Sequence, residues 1–242
     1  MGPVGEQKTK PTQHTVKELM GLGITPDVLV CRSNKPLNDE TRQKLSAFCH
    51  VRPEAVFSTH DVPNIYHVPL MLEEQGFCDI LDIDCDKTGL LAEWRAMAHR
   101  LDELTEEVNI AMVGKYTDLS DAYLSVIKSL QHAALAVERK LNIDWIEASD
   151  LEDTNDAEAW GLLRNANGIL VPGGFGDRGI EGKVLAAQYA RENNVPYLGI
   201  CLGLQVATIE FCRNVLGIKD ATSTELDADA ANPAVIFMPD IS

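Results

Sequence analysis

Gly199-Ile200-Cys201-Leu202-Gly203 has the form G-x-C-x-G, which parallels the G-x-S-x-G turn on which hydrolases mount a nucleophile. Such a turn needs a strand ending before Cys201 and a helix beginning after it. Glycines two residues to either side keep neighbouring side chains out of the turn, so the thiol is lifted above the sheet edge. The start of the following helix carries partial positive charge and favours thiolate. Attack on a carbonyl carbon would leave an oxyanion facing the backbone N–H of Leu202, and a glycine turn at Gly173-Gly174, closing the neighbouring strand, would supply a second N–H. The competing reading is a buried structural cysteine, the usual fate of Cys in a strand; the paired glycines favour the nucleophile. A nucleophilic thiol also needs a base. All six histidines, at 14, 50, 60, 67, 99 and 132, precede Cys201, and His132 falls in the middle of a helical pattern. The residues offer a nucleophile and an oxyanion hole without an evident base.

Two further stretches carry chemistry. Gly174-Phe175-Gly176-Asp177-Arg178-Gly179 matches G-x-G-x-x-G between a strand pattern and a helix pattern. A dinucleotide site also needs an acidic residue at the end of the next strand, and that strand ends in Cys201 instead; a glycine-rich turn serving the thiol is the better reading. Lys8-Thr9-Lys10-Pro11-Thr12-Gln13 precedes a helix. Two lysines, two threonines and the N–H groups of a helix start suit a polyphosphate, against the alternative of a flexible polar terminus. G-x-x-x-x-G-K-[ST] does not occur, and Gly114-Lys115-Tyr116 is its nearest fragment.

The elements that would hold these residues alternate. Strand patterns fall at 27–32, 55–59, 108–113, 143–147, 168–171 and 196–200. Helix patterns fall at 13–22, 38–48, 65–76, 89–105, 120–140, 156–166, 179–193 and 203–216. Thr15-x-x-Glu18 reads as a capping box for the first. Strand–helix alternation implies an α/β fold with parallel sheets. The helix at 89–105 has no strand close before it and reads as a connector between units of roughly 105 and 135 residues.

Composition sets the bounds. The 242 residues carry 21 Lys+Arg against 37 Asp+Glu, a net charge of −16; nucleic acids and anionic membranes need a positive field, so neither is expected as a partner. No apolar run reaches the 18 residues of a membrane span. The N-terminus has no apolar signal core, so a cytoplasmic protein is expected. Six cysteines without C-x-x-C spacing argue against a zinc or thioredoxin-like centre and imply reduced thiols, most of them small buried apolar residues. No metal ligand set is expected.

Together these stretches resemble the CTP synthase family in its eukaryote-like form. Gly5-Glu6-Gln7-Lys8-Thr9-Lys10-Pro11-Thr12-Gln13 is similar to its pyrimidine-nucleotide loop. Val171-Pro172-Gly173-Gly174-Phe175-Gly176, Tyr197 to Gly203, and Ser223-Thr224-Glu225 are similar to its class I glutamine amidotransferase segment. The resemblance implies the C-terminal part of a P-loop-type synthetase domain (1–85), a connecting helix (86–106) and the N-terminal part of a class I glutamine amidotransferase domain with a flavodoxin-like parallel sheet (107–242). It further implies ATP-dependent amination of UTP to CTP with ammonia from glutamine. In that scheme Cys201 is the glutaminase nucleophile. Gly174, Leu202, Gly203, Leu204, Gln205 and Glu225 hold glutamine and its oxyanion. Lys8, Thr9, Lys10, Pro11, Thr12, Gln13 and Lys44 contact UTP or inhibitory CTP, and His60, Asp61 and Val62 line the ATP site. Leu204 stands where the family has Met. The loop at 176–182 resembles the lid coupled to GTP, an allosteric activator. Mg²⁺ accompanies ATP on ligands outside this chain, and the full-length parent is a homo-tetramer. The P-loop would lie upstream and the catalytic His and Glu downstream, so the chain reads as an internal portion, inactive alone. The alternatives are a non-catalytic module docking on complete subunits and a stand-alone glutaminase half.

Overall fold

The computed structural model describes residues 7–84, 90–115, 120–174, 176 and 178–238, in two compact units, Met1–Glu103 and Leu104–Ser242.

The first unit is built on two parallel strands, β1 (Leu29–Ser33) and β2 (Val56–His60), in register from Leu29 opposite Val56 to Ser33 opposite His60. Helix α2 (Asp39–Cys49) makes the crossover between them. Asn38 fixes its start by accepting from the Thr41 N–H at 2.7 Å, satisfying an N–H that has no partner within the helix. Helix α1 (Lys10–Gly21) packs its Val16 with Leu29, Leu45, Cys49, Val51 and Val56 in one apolar core. The far edge of β2 meets a side chain: Gln75 accepts from Ser58 N–H at 2.8 Å and donates to Ser58 O at 2.9 Å, replacing the backbone pair a third strand would give. Helices α3 (His67–Glu74), the short α4 (Phe77–Ile80) and α5 (Leu90–Glu103) complete the unit. The helix read as a connector packs on α3, with Arg95 reaching Glu73 and Glu74 at 3.1 and 3.2 Å and Trp94 Nε1 donating to Tyr66 O at 2.7 Å.

Two expectations for this unit need correction. Thr15 lies inside α1, donating to Pro11 O at 3.1 Å, and Thr9 takes the cap position, so Thr15-Glu18 forms no capping box. Pro11 in the first turn starts the helix earlier because its missing N–H is needed by no partner there. The thiols are also not uniform: Cys78 is disulfide-bonded, Cys49 is buried, Cys31 and Cys212 are half-buried and Cys201 is exposed.

The second unit carries four parallel strands in the order β4-β3-β5-β6: β3 (Glu107–Gly114), β4 (Lys140–Glu147), β5 (Gly168–Val171) and β6 (Tyr197–Gly199). Helices α6 (Leu124–Ala136), α7 (Ala157–Asn165), α8 (Ile180–Asn193) and α9 (Leu202–Asn214) connect and follow them. Ala111, Val113, Ile146, Leu163, Ile169 and Val171 form the main core, and Ile180, Val184, Leu202, Val206 and Ile209 bind α8 to α9. The same two helices share an ion pair: Arg191 donates to buried Glu210 from Nε and Nη2 at 2.8–3.1 Å, and Glu210 raises the guanidinium pKa by that hydrogen bond. A short parallel pair, β7 (Thr222–Ser223) and β8 (Pro233–Val235), packs on α9. Strand order reverses between β3 and β5, so their carboxyl ends frame the crevice where open α/β sheets bind ligands. No described helix is long and apolar enough to cross a membrane.

Candidate active site and nucleotide pocket

Cys201 stands between β6 and α9 with φ 54° and ψ −113°, a backbone conformation that costs an L residue about 1–3 kcal/mol and persists only where the surroundings enforce it. Both flanks enforce it here. A methyl on Gly199 would lie 2.4 Å from the carbonyl of Gly203, and one on Gly203 would lie 2.0 Å from Val171 O. Strand end and helix start therefore meet backbone on backbone. Ile200 N–H donates to Val171 O at 2.9 Å, and the Tyr197 hydroxyl donates to Gly203 O at 2.8 Å. Burial, with the Glu210 carboxylate adding, raises the Tyr197 phenol pKa and keeps that donor neutral.

The exposed thiol is bordered by the turn that ends β5: a methyl on Gly173 would sit 3.2 Å from Cys201 Cβ and 3.6 Å from Sγ. Gly174 follows with open space around its Cα. Leu202 and Gly203 open α9 and are buried, while Leu204 is exposed. Gln205, one helical turn beyond Cys201, has its Oε1 buried without a hydrogen-bond partner among the described residues. A buried acceptor left unpaired costs about 1–3 kcal/mol, which a bound donor group would recover. Glu225 is exposed in the turn after β7, its N–H donating to Ser223 Oγ at 3.1 Å. The arrangement suits acyl transfer through the Cys201 sulfur. His132, the only histidine of this unit in the sequence, lies on α6. That helix packs on β4, and three strand spacings of about 4.8 Å separate β4 from β6.

The glycine-rich loop is held by residues that sequence reasoning missed. Lys115, at the end of β3, donates from Nζ to Gly176 O at 3.0 Å. Arg178 pairs with Glu147 at 2.9 Å. Lys183 on α8 is 1 % exposed, and burial, with Lys115 beside it, lowers its pKa to about 8. The one signal was the Gly114-Lys115 fragment. Gly179 begins α8 against Ala148, so this glycine serves helix packing.

In the first unit a cavity of about 240 Å³ opens at the carboxyl end of β1. Lys8, Thr9 and Thr12 line it. Lys10, Pro11 and Gln13 lie in the first turn of α1 outside the lining, although Gln13 Nε2 donates to Thr9 Oγ1 at 3.1 Å. Lys44 is exposed on α2, whose Thr41 and Leu45 reach the cavity instead. Gln7, from the same N-terminal stretch, also lines it, whereas residues 31–35 and Leu37 were not anticipated; their signal is position at the end of a parallel strand. Gln7 ties the walls together, donating to Pro36 O at 2.8 Å. His60 ends β2 and Asp61 follows it, ion-paired with Arg32 of the cavity wall. Val62 is half-buried beside them.

Residues 1–84 match the family described as CTP synthase N-terminus, and residues 118–232 match glutamine amidotransferase class-I. Over 267 residues the chain is 50% identical to the CTP synthase of Dictyostelium discoideum, covering all of this chain and 47% of that one. With CTP synthase 1 of Homo sapiens identity is 51% over 249 residues, covering 98% and 42%. The chain thus spans less than half the length of these curated relatives. The glutaminase domain of Trypanosoma brucei CTPS, solved with bound acivicin, superposes with a TM-score of 0.51 at 46% identity, covering 54% of this chain and 50% of that one.

Proposed function

The chain belongs to the CTP synthase family, and from that premise we propose that it contributes two partial sites to the glutamine-dependent conversion of UTP to CTP. Cys201 is the nucleophile that takes the γ-glutamyl group of glutamine and releases ammonia. Leu202 and Gly174 offer backbone N–H groups to the oxyanion, and Gln205, with Gly203, Leu204 and Glu225, holds the rest of glutamine. Lys8, Thr9 and Thr12 face the phosphates of UTP or of inhibitory CTP, with Lys10, Pro11, Gln13 and Lys44 behind or beside them. His60, Asp61 and Val62 border ATP. The proposed parts are a synthetase portion at 1–85, a segment at 86–106 leading to the next domain, whose helix α5 packs in the first unit, and an amidotransferase portion at 107–242, in a cytoplasmic, homo-tetrameric parent activated by GTP.

Mg²⁺ would accompany ATP, but the residues here do not suit it: the cavity lining contains no carboxylate, and Asp61 is paired with Arg32. No step is assigned to the ion.

The observation carrying this reading is the backbone of Cys201 (φ 54°, ψ −113°) with the Gly173 turn against its thiol. Acivicin, present in the trypanosomal glutaminase structure, supplies the test. Mass spectrometry should find one adduct on Cys201 of this chain and none in Cys201→Ser; labelling elsewhere, or none, would remove the assignment. Glutamine turnover should fall about 10²–10⁴ below that of an amidotransferase with a positioned base.

A further inference from the structure

We propose that His67, His99 and Asp102 form a divalent transition-metal site, of which Zn²⁺ is the natural occupant, joining α3 to α5. His99 and Asp102 are three residues apart on α5 and so share a face; His67 opens α3. One ligand atom from each lies within 4.8 Å of the others. The two imidazole rings meet edge to face with centroids 5.2 Å apart.

The carboxylate between them is already aimed. Asp102 Oδ1 accepts from Asn64 Nδ2 at 2.7 Å, and the same amide donates to Ala98 O at 3.1 Å. Oδ2 is left to face His67 Nε2 at 2.6 Å. An amide that orients a ligating carboxylate is the kind of outer partner metal sites use. Tetrahedral bonds of about 2.0–2.2 Å to two nitrogens and one oxygen place ligand atoms about 3.3–3.6 Å from one another. On binding, the ion takes the place of the proton between His67 and Asp102, so their 2.6 Å contact opens while His99 closes in from within 4.8 Å. His99 is exposed and Asp102 about one-third exposed, which leaves the fourth position to water. Two imidazoles and one carboxylate select zinc-like ions over Mg²⁺ or Ca²⁺, which take oxygen ligands.

The pattern escapes sequence inspection because His67 stands on a different helix from the other two ligands. The site is also separate from the nucleotide cavity, whose lining includes none of the three.

The test is Co²⁺ and Zn²⁺ titration of the chelator-stripped full chain. One equivalent of Co²⁺ should give the visible ligand-field bands of a four-coordinate ion, displaced by Zn²⁺. His99→Ala and Asp102→Asn should each weaken Zn²⁺ binding at least about 100-fold, and Asn64→Leu about 10-fold, with unchanged far-ultraviolet circular dichroism. His132→Ala, in the other unit, should bind like the parent. No binding, a sulfur-to-cobalt charge-transfer band, or equal affinity in His99→Ala and parent would each overturn the proposal.

Discussion

At Cys201 the geometry is carried by backbone: two glycines admit no side chain, and the thiol is mounted by the chain's own carbonyls. Around Lys8 and Thr12 it is carried by side chains, drawn from a helix start, a strand end and a second helix. The first kind of site is fixed before any ligand arrives, and its parts cannot be changed one at a time. The second would tolerate exchange, because a long charged side chain can reach a phosphate from several Cα positions. Nucleophilic attack needs reacting atoms placed to a fraction of an ångström, whereas a triphosphate needs charge and donors within reach.

The sharpest way to break this comparison is to put a methyl into each region. Gly203→Ala should lose about 3 kcal/mol in urea unfolding, since the methyl meets Val171 O at 2.0 Å and the backbone must give. Its acivicin labelling should fall with it. A Gly203→Ala chain as stable as the parent would mean the turn is pliable.

Lys183 tests the same unit through charge. Its pKa of about 8 in the folded protein lies below the unfolded value of about 10.4. Below pH 8 folding buries a charge; between 8 and 10.4 the unfolded chain binds more protons, so stability rises with pH. Lys183→Met should therefore be more stable by about 2 kcal/mol at pH 7, with the gain fading above pH 8. A gain independent of pH would show that the ammonium is not the cause.

Lys8→Ala should behave oppositely. UTP affinity, read by calorimetry, should drop about tenfold through loss of a charge-assisted contact, while stability moves by less than about 0.5 kcal/mol because Lys8 is exposed. A large stability loss would move Lys8 into the class of structural residues.

The smallest effect separates the turn from its thiol. Cys201→Gly should gain about 1 kcal/mol, since glycine occupies φ 54° without strain, while acivicin labelling disappears.

The same contrast explains what could be read in advance. The central strands β3 and β5 announced themselves through apolar runs between amphipathic helices, since buried parallel strands are apolar on both faces. The Cys201 turn was legible because backbone collisions dictate residue type, and only glycine satisfies them. The cavity at the end of β1 was half legible: Lys8, Thr9 and Thr12 lie close in sequence, whereas Arg32 reads as the polar end of a strand and Lys35 as solvated loop until the fold brings them to the same wall. Short elements such as α4 and β7 span too few residues to show a period. The His67–His99 pairing depends on how α3 meets α5, which no local pattern encodes.

The glycine lock also bears on how such a sequence drifts over generations. Gly199 and Gly203 are retained by packing and would persist in a descendant that had abandoned thiol chemistry. Cys201 has no such protection, because its own conformation weakens the fold. In a lineage that has lost the proposed glutamine chemistry, position 201 should be the first of the three to change and both glycines the last. An intact G-x-x-x-G frame therefore dates the fold, and the residue at its centre reports whether the chemistry is still under selection.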